Sequence, residues 1–218
     1  TYQKETALSF LKSGVKFADI NRVDFRGEAS IGKNVFIDVN VVLEGKVTIG
    51  SDSIISAGAV IRNSSLGKKI KVEPCSVIEN SKIGDNSMIG PFAHIGPGAE
   101  LANDVEIGNF VEIKRSTINQ KTKAKHLAYI GDGAIDTNVN VGAGTIFVNY
   151  DGKNKNKTKV DKGAFVGSNS SLIAPIKIGQ NSMIGAGSVV TSDVPAERLA
   201  LGRSRPVSYT HLTLPTKL

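Results

Sequence analysis

A six-residue period through most of the chain restricts its fold more than any other feature. From Ile31 the sequence falls into hexads that open on an aliphatic residue, often followed by Gly or Asp, and whose fifth position is small or Val. They read Ile31-Gly32 with Val35, Ile37-Asp38 with Val41, Ile49-Gly50 with Ser53, Ile83-Gly84 with Ser87, Ile89-Gly90 with Ala93 and Ile107-Gly108 with Val111. The series resumes at Ile135-Asp136 with Val139 and Val141-Gly142 with Thr145, and closes with Val166-Gly167, Ile178-Gly179 with Ser182 and Ile184-Gly185 with Ser188. An amphipathic helix needs apolar residues at i, i+3, i+4 and i+7, a spacing these segments lack. Each hexad reads instead as a short strand ended by a corner. Three make a triangular coil, and successive coils stack at the ~4.8 Å spacing of paired strands. The predicted class is all-β, a parallel β-helix solenoid with a short N-terminal helix. Inward Ile and Val fill the prism, each contributing ~1.5–3 kcal/mol on burial. The core therefore needs few aromatics, in keeping with 6% aromatic residues, no Trp and 23 glycines.

Outside the repeats, Ala7, Leu8 and Leu11 fall on one face of a helix that Ser13-Gly14 ends. Val15 to Arg26 reads as a non-repeating link. Asn149 to Lys157 is a polar loop between Phe147 and Val160, and such insertions gather on the binding face of a solenoid. Asp193-Val194-Pro195 is predicted to stop the coils, and residues 208–218 read as a non-native tail without function. No apolar run is long enough to span a membrane. The start is polar and without an initiator Met, which reads as a piece of a longer protein. Cys75, the one cysteine, excludes an internal disulfide framework and fits a reducing cytoplasm. The net charge of +7 is gathered in Lys153–Lys162 and Arg198–Arg205 instead of one stripe, so a small polyanion is expected as ligand and nucleic acid is not.

His126 is the strongest chemical candidate. The pentads Ile113–Thr117 and Ile130–Ala134 shorten two coils to 17 residues, which predicts that Asn109, His126 and Ala143 stack and that Glu112 lies under Tyr129. The count also predicts His126, Tyr129, Asn140 and the Ala143 backbone within about one coil spacing of each other. Acyl transfer from a thioester to an amine needs a base, for which imidazole suits neutral pH, and an oxyanion donor such as a backbone N–H. Glu112 is a candidate to orient the ring.

From Arg26 to Arg205 the chain resembles the acetyltransferase domain of the bifunctional glucosamine-1-phosphate N-acetyltransferase/N-acetylglucosamine-1-phosphate uridylyltransferase family, among the hexapeptide-repeat transferases. The resemblance rests on Gly108-Asn109-Phe110-Val111-Glu112, His126-Leu127 with Tyr129-Ile130-Gly131-Asp132, Asn140-Val141-Gly142-Ala143-Gly144-Thr145, and Val148-Asn149-Tyr150-Asp151-Gly152 with Asn154-Lys155. It implies left-handed coils and His126 as general base. It implies Lys114, Tyr129, Asn140 and Lys155 at glucosamine-1-phosphate, and Ala143, Asn149, Tyr150, Ser168, Ala186 and Arg203 at acetyl-coenzyme A. It further implies a cytoplasmic homotrimer with sites between subunits and acetyl transfer that needs no metal.

The implied organisation is residues 1–26 as helix and linker from a uridylyltransferase domain, 27–194 as the β-helix, 195–207 as a coenzyme-contacting segment and 208–218 as the tail. Uridylyltransferase activity is not expected of the chain. One departure is Gly96, where the family carries an Arg for the sugar phosphate; His94 and Arg115 are candidates to compensate. Three alternatives stay open: another acyl acceptor, a zinc lyase of carbonic-anhydrase type, which lacks its third histidine in the coils, and a structural scaffold.

Overall fold

The computed structural model describes residues 2–205. After the helix Tyr2–Lys12, the named strands pair only in parallel and wind into a three-sided prism. The first face has eleven strands, from Lys16–Phe17 through Glu106–Asn109, Lys123–His126 and Asn140–Val141 to Leu199–Ala200. The second carries His94–Ile95, Glu112–Lys114, Tyr129–Gly131 and Ile146–Val148 in one ladder. The third carries Glu100–Leu101, Thr117–Ile118, Gly133–Ile135 and Thr158–Val160 in another. This is the parallel β-helix expected from the repeat, with the left-handed coils that the resemblance implied.

Alternate residues of each strand point inward. Val105 and Ile107, Val111 and Ile113, and Ser116 and Ile118 form the interior of one coil, and all are buried. Inward hydroxyls are satisfied by backbone: Ser116 Oγ donates to the Lys114 carbonyl at 2.9 Å, and Ser87 Oγ accepts from the Val105 N–H at 3.1 Å. Thr158 Oγ1 is buried without a partner among the described residues.

The three edges of the prism differ. From first face to second, the inward residues advance by six: Ile107 to Ile113, Ala124 to Ile130, Val141 to Phe147, Val166 to Leu172. From third face back to first they also advance by six, as from Ile118 to Ala124 and Ile135 to Val141. Above the bottom coil, where Phe17 to Phe25 takes eight, only the second-to-third edge varies. It takes five residues from Ile61 to Leu66, Ile78 to Ile83, Ile113 to Ile118 and Ile130 to Ile135, six from Ile95 to Leu101, and thirteen from Phe147 to Val160. These five-residue steps also explain why the hexads between Ile55 and Ile78 escape a strict six-residue count.

Corners take positive φ, and Asn and Asp fill many of them, as at Asn34, Asn40, Asp52, Asn138 and Asn181. Phe92, Phe110 and Leu127 break that habit at the first-to-second edge with φ of 52°, 55° and 51°. Each is more than half exposed, and the two phenyl rings stack at 5.5 Å.

Three details differ from the sequence reading. The helix turns Ala7 and Phe10 inward, Phe10 stacking on Phe25 at 5.6 Å, while Leu8 and Leu11 are exposed. Gln3, one turn before Ala7, caps the bottom coil by accepting from the Phe25 N–H at 2.7 Å. The parallel ladder begins at Lys16, inside the segment read as a link, and continues past Pro195 to Leu199–Ala200. The 208–218 tail lies outside the described residues.

Candidate active site

His126 ends the first-face strand Lys123–His126, with its side chain exposed outside the prism. The strand pairs in register with the coil below, Ile107 with Ala124 and Asn109 with His126. Close approach of the two coils demands a glycine at 108, since a Cβ there would sit 1.9 Å from the Lys125 carbonyl oxygen. Asn109 Oδ1 then lies 2.6 Å from His126 Nδ1. Asn109 was named in sequence only as a stacking neighbour; its amide as the ring's partner was missed. Glu112 was the candidate for that place, yet its carboxylate lies on the second face, 3.3 Å from Lys114 Nζ and 3.8 Å from His94 Nδ1.

A hollow of about 180 Å³ opens beside the pair, bounded by Gly90, Pro91, Gly108, Lys125 and His126. Glu106 on its rim is held below the usual carboxylate range, first by a hydrogen bond from Lys123 and then by one from Lys125. Larger hollows of about 440 and 450 Å³ lie on the third face around Lys46, Lys82 and Glu100, away from every candidate residue.

Above His126 the register continues through Ala124 with Val141 and carries Ala143 into the next coil. Asn169 N–H then bonds the Ala143 carbonyl at 2.7 Å, and Gly187 N–H the Ser168 carbonyl at 2.8 Å. Ala143, Ser168 and Ala186 thereby form one column at the first-to-second edge, with Arg203 beside Gly187 at its top.

Tyr129 begins the second face just past the Leu127 corner, paired with Glu112 as predicted. Its phenol lies over Gly131, where an added Cβ would meet Tyr129 Oη and Asn149 Nδ2 at 2.6 Å each. Beyond it, Arg115 Nε and Nη2 donate to the two oxygens of Asp132, both at 2.8 Å. Asn149 Nδ2 donates to the same carboxylate at 2.5 Å. The Arg115 guanidinium is the main reason that Asp132 sits below the usual carboxylate range, and Lys155 adds to it. Asn149 is buried and its carbonyl accepts from Asn156 N–H at 2.7 Å, so it roots the loop; Tyr150 and Lys155 are exposed on it.

Within one chain the candidates thus form two groups. His126, Ala143, Ser168, Ala186 and Arg203 follow the first-to-second edge, while Lys114, Asn149, Tyr150 and Lys155 gather at the far side of the second face. Tyr129 follows the His126 corner in sequence, and its phenol lies with the second group, against Gly131 and Asn149. Asn140 joins neither group: it pairs with Lys123, three residues before His126, and so stands across the first face instead of one coil spacing away. The coil count gave the stacking but not the position along the strand.

Gly96 sits between Lys114 and His94, whose Cε and Nε2 would lie 3.5 and 3.7 Å from an added Cβ. Of the two proposed substitutes for an Arg here, Arg115 is committed to Asp132, and His94 Nε2 lies 3.2 Å from Glu79. Among the described residues no group of three His, Cys, Asp or Glu is arranged to hold a metal, and no helix is long and apolar enough to cross a membrane.

Residues 28–63, 80–115 and 157–192 match the family described as bacterial transferase hexapeptide, six repeats. The chain is 45% identical over 216 residues, 99% of its length, to bifunctional protein GlmU of Baumannia cicadellinicola, and 48% identical over its whole length to that of Psychrobacter arcticus. The chain carries the repeats of the bacterial hexapeptide transferases and is similar to part of bifunctional protein GlmU. It spans 46% and 47% of those two relatives, about half their length. The fold is shared with LpxA of Bacteroides fragilis, a UDP-N-acetylglucosamine acyltransferase, at a TM-score of 0.63 and 20% identity over 83% of this chain and 69% of that one. A UDP-N-acetylglucosamine acyltransferase of Campylobacter jejuni gives 0.52 and 18% over 86% and 71%.

Proposed function

We propose that this chain transfers the acetyl group of acetyl-coenzyme A to the amine of glucosamine-1-phosphate. The carrying observation is the continuous column at one edge of the prism: an imidazole set on Asn109, with Ala143, Ser168 and Ala186 stacked above it and Arg203 at the top. A column of small side chains leaves backbone exposed for the pantetheine arm, and Arg203 suits the coenzyme's phosphates. His126 takes the proton of the amine as its nitrogen attacks the thioester carbonyl. A backbone N–H near Ala143 faces the oxyanion, and the C–S bond breaks to release coenzyme A.

Lys114 and Lys155 flank the second face as point charges for the sugar phosphate, with the Tyr129 phenol on the same face. Asn140 and the two separated groups fit a site completed by a neighbouring copy, in a homotrimer. The exposed ridge of Phe92, Phe110 and Leu127 beside His126 is the apolar surface that such a neighbour covers.

The test is release of free coenzyme A from acetyl-coenzyme A with glucosamine-1-phosphate, glucosamine-6-phosphate, serine or UDP-N-acetylglucosamine as acceptor. Glucosamine-1-phosphate is expected to be preferred, and His126→Ala to lower kcat by about 10²–10⁴-fold with the oligomer intact. Preference for a hydroxyl acceptor, or wild-type turnover by the variant, overturns the assignment.

A further inference from the structure

We infer that Asn109 is a positioning residue for His126, fixing the tautomer in which Nδ1 carries the proton and Nε2 keeps its lone pair. The role rests on the reading of His126 as the base. An amide oxygen offers only lone pairs, so the imidazole nitrogen 2.6 Å from Asn109 Oδ1 must be the donor. The neutral ring then presents Nε2, which takes no hydrogen bond among the described residues, as its basic atom. An amide turned end for end would offer N–H to Nδ1, place the ring proton on Nε2 and leave a ring unable to accept from the amine. The direction of one side-chain amide thus decides whether the histidine is competent.

The backbone that carries Asn109 is held from both sides. Its carbonyl accepts from the Leu127 N–H at 3.0 Å, and the next N–H, of Phe110, donates to the Phe92 carbonyl at 3.2 Å. Phe110 turns the corner at φ 55° and stacks on Phe92, so the segment is clamped from the coil above and the coil below. Among the described residues no carboxylate pairs with the ring. Glu112 is engaged by Lys114 on the second face, and Glu106, on the first, is bonded by Lys123 and Lys125. A neutral partner suits this chemistry, because a carboxylate in its place favours the imidazolium, which has no lone pair for the amine.

The decisive measurement is the ¹⁵N spectrum of the full-length, histidine-labelled protein, which separates protonated from bare ring nitrogens without reference to turnover. Wild type is expected to show His126 protonated at Nδ1, and Asn109→Ala a mixture of tautomers with an unchanged melting temperature. In kinetics, Asn109→Ala is expected to lower kcat by about 10–100-fold, part of the gain from general base catalysis, with both KM values within about two-fold. Asn109→Asp is expected to keep the Nδ1 proton and to move the acid limb of the kcat–pH profile upward. A wild-type ring protonated at Nε2, or Asn109→Ala with the wild-type tautomer and kcat, overturns the inference. An active His126→Ala protein defeats the base assignment alone and leaves the tautomer result standing, so the two failures are distinguishable.

Discussion

The first-to-second and second-to-third edges of the prism obey opposite rules of spacing. The first advances six residues in every coil above the bottom one and carries Asn109, His126, Ala143, Ser168 and Ala186 in one column. The second advances by five, six or thirteen and carries Arg115, Asp132, Asn149 and the loop that follows. The reactive column stays aligned because all variation in length is absorbed elsewhere. On the proposed function, the base would sit on the invariant edge and the loop side chains offered to ligand on the adaptable one.

The sharpest way to break this comparison is to lengthen each edge by one residue. An alanine inserted between Phe110 and Val111 has no precedent in any coil. It either exchanges inward and outward side chains or bulges into the ridge beside His126. Loss of at least about 100-fold in kcat is expected, the scale of the base's contribution. An alanine inserted between Asn80 and Ser81 only converts a five-residue step into the six-residue step already present from Ile95 to Leu101. Activity within about three-fold of wild type is expected there, as for surface changes generally. Equal effects in paired thermal melts and assays would erase the distinction between the edges.

Asp132→Asn tests the adaptable edge on its own terms. Its carboxyl sits below the usual range chiefly because of Arg115, so ionised Asp132 favours the folded state. That contribution is complete above the unfolded carboxylate's pKa of about 4 and fades as pH falls through the lower folded value. The variant is expected to melt earlier than wild type at pH 7, with the gap narrowing as pH falls below about 4. Because the pair roots Asn149, KM should rise by about two- to five-fold with kcat nearly unchanged, the modest scale of a partly exposed ion pair. A changed kcat with unchanged KM would move Asp132 into the chemistry.

The smallest effect is expected of Gly96→Arg. A side chain there emerges between Lys114 and His94, and the flexible end of each can move aside. One added guanidinium–phosphate contact is expected to lower the KM for glucosamine-1-phosphate by about three-fold, well short of an ideal bidentate pair because Glu79 and Glu112 lie nearby. An unchanged or higher KM would show that the phosphate already has its partners.

The interior was legible in sequence because it repeats: Ile107, Ile113 and Ile118 each obey a pattern that a single chain displays many times. So was the stacking of Glu112 under Tyr129, which follows from counting residues. The helix face was misread because Leu8 and Leu11 outrank Ala7 in hydrophobicity, whereas the bottom coil offers room for Ala7 and a ring partner for Phe10. The Asn109–His126 bond was not legible, since a coil count fixes which residues are neighbours but not which side-chain atoms face each other. The count paired Asn140 with Lys123 correctly, but the nearness to His126 inferred from it fails, because stacking says nothing of distance along a strand.

The single elastic edge has a consequence for how such a chain can change. A deletion, or an insertion as long as the one between Phe147 and Val160, is taken up on one flank of the rod, and the opposite flank keeps its spacing without compensating mutations. On the proposed function, the loop that carries Lys155 would lie on the elastic edge and the base on the fixed one, so natural variation or grafting could rework the former while the latter is inherited intact.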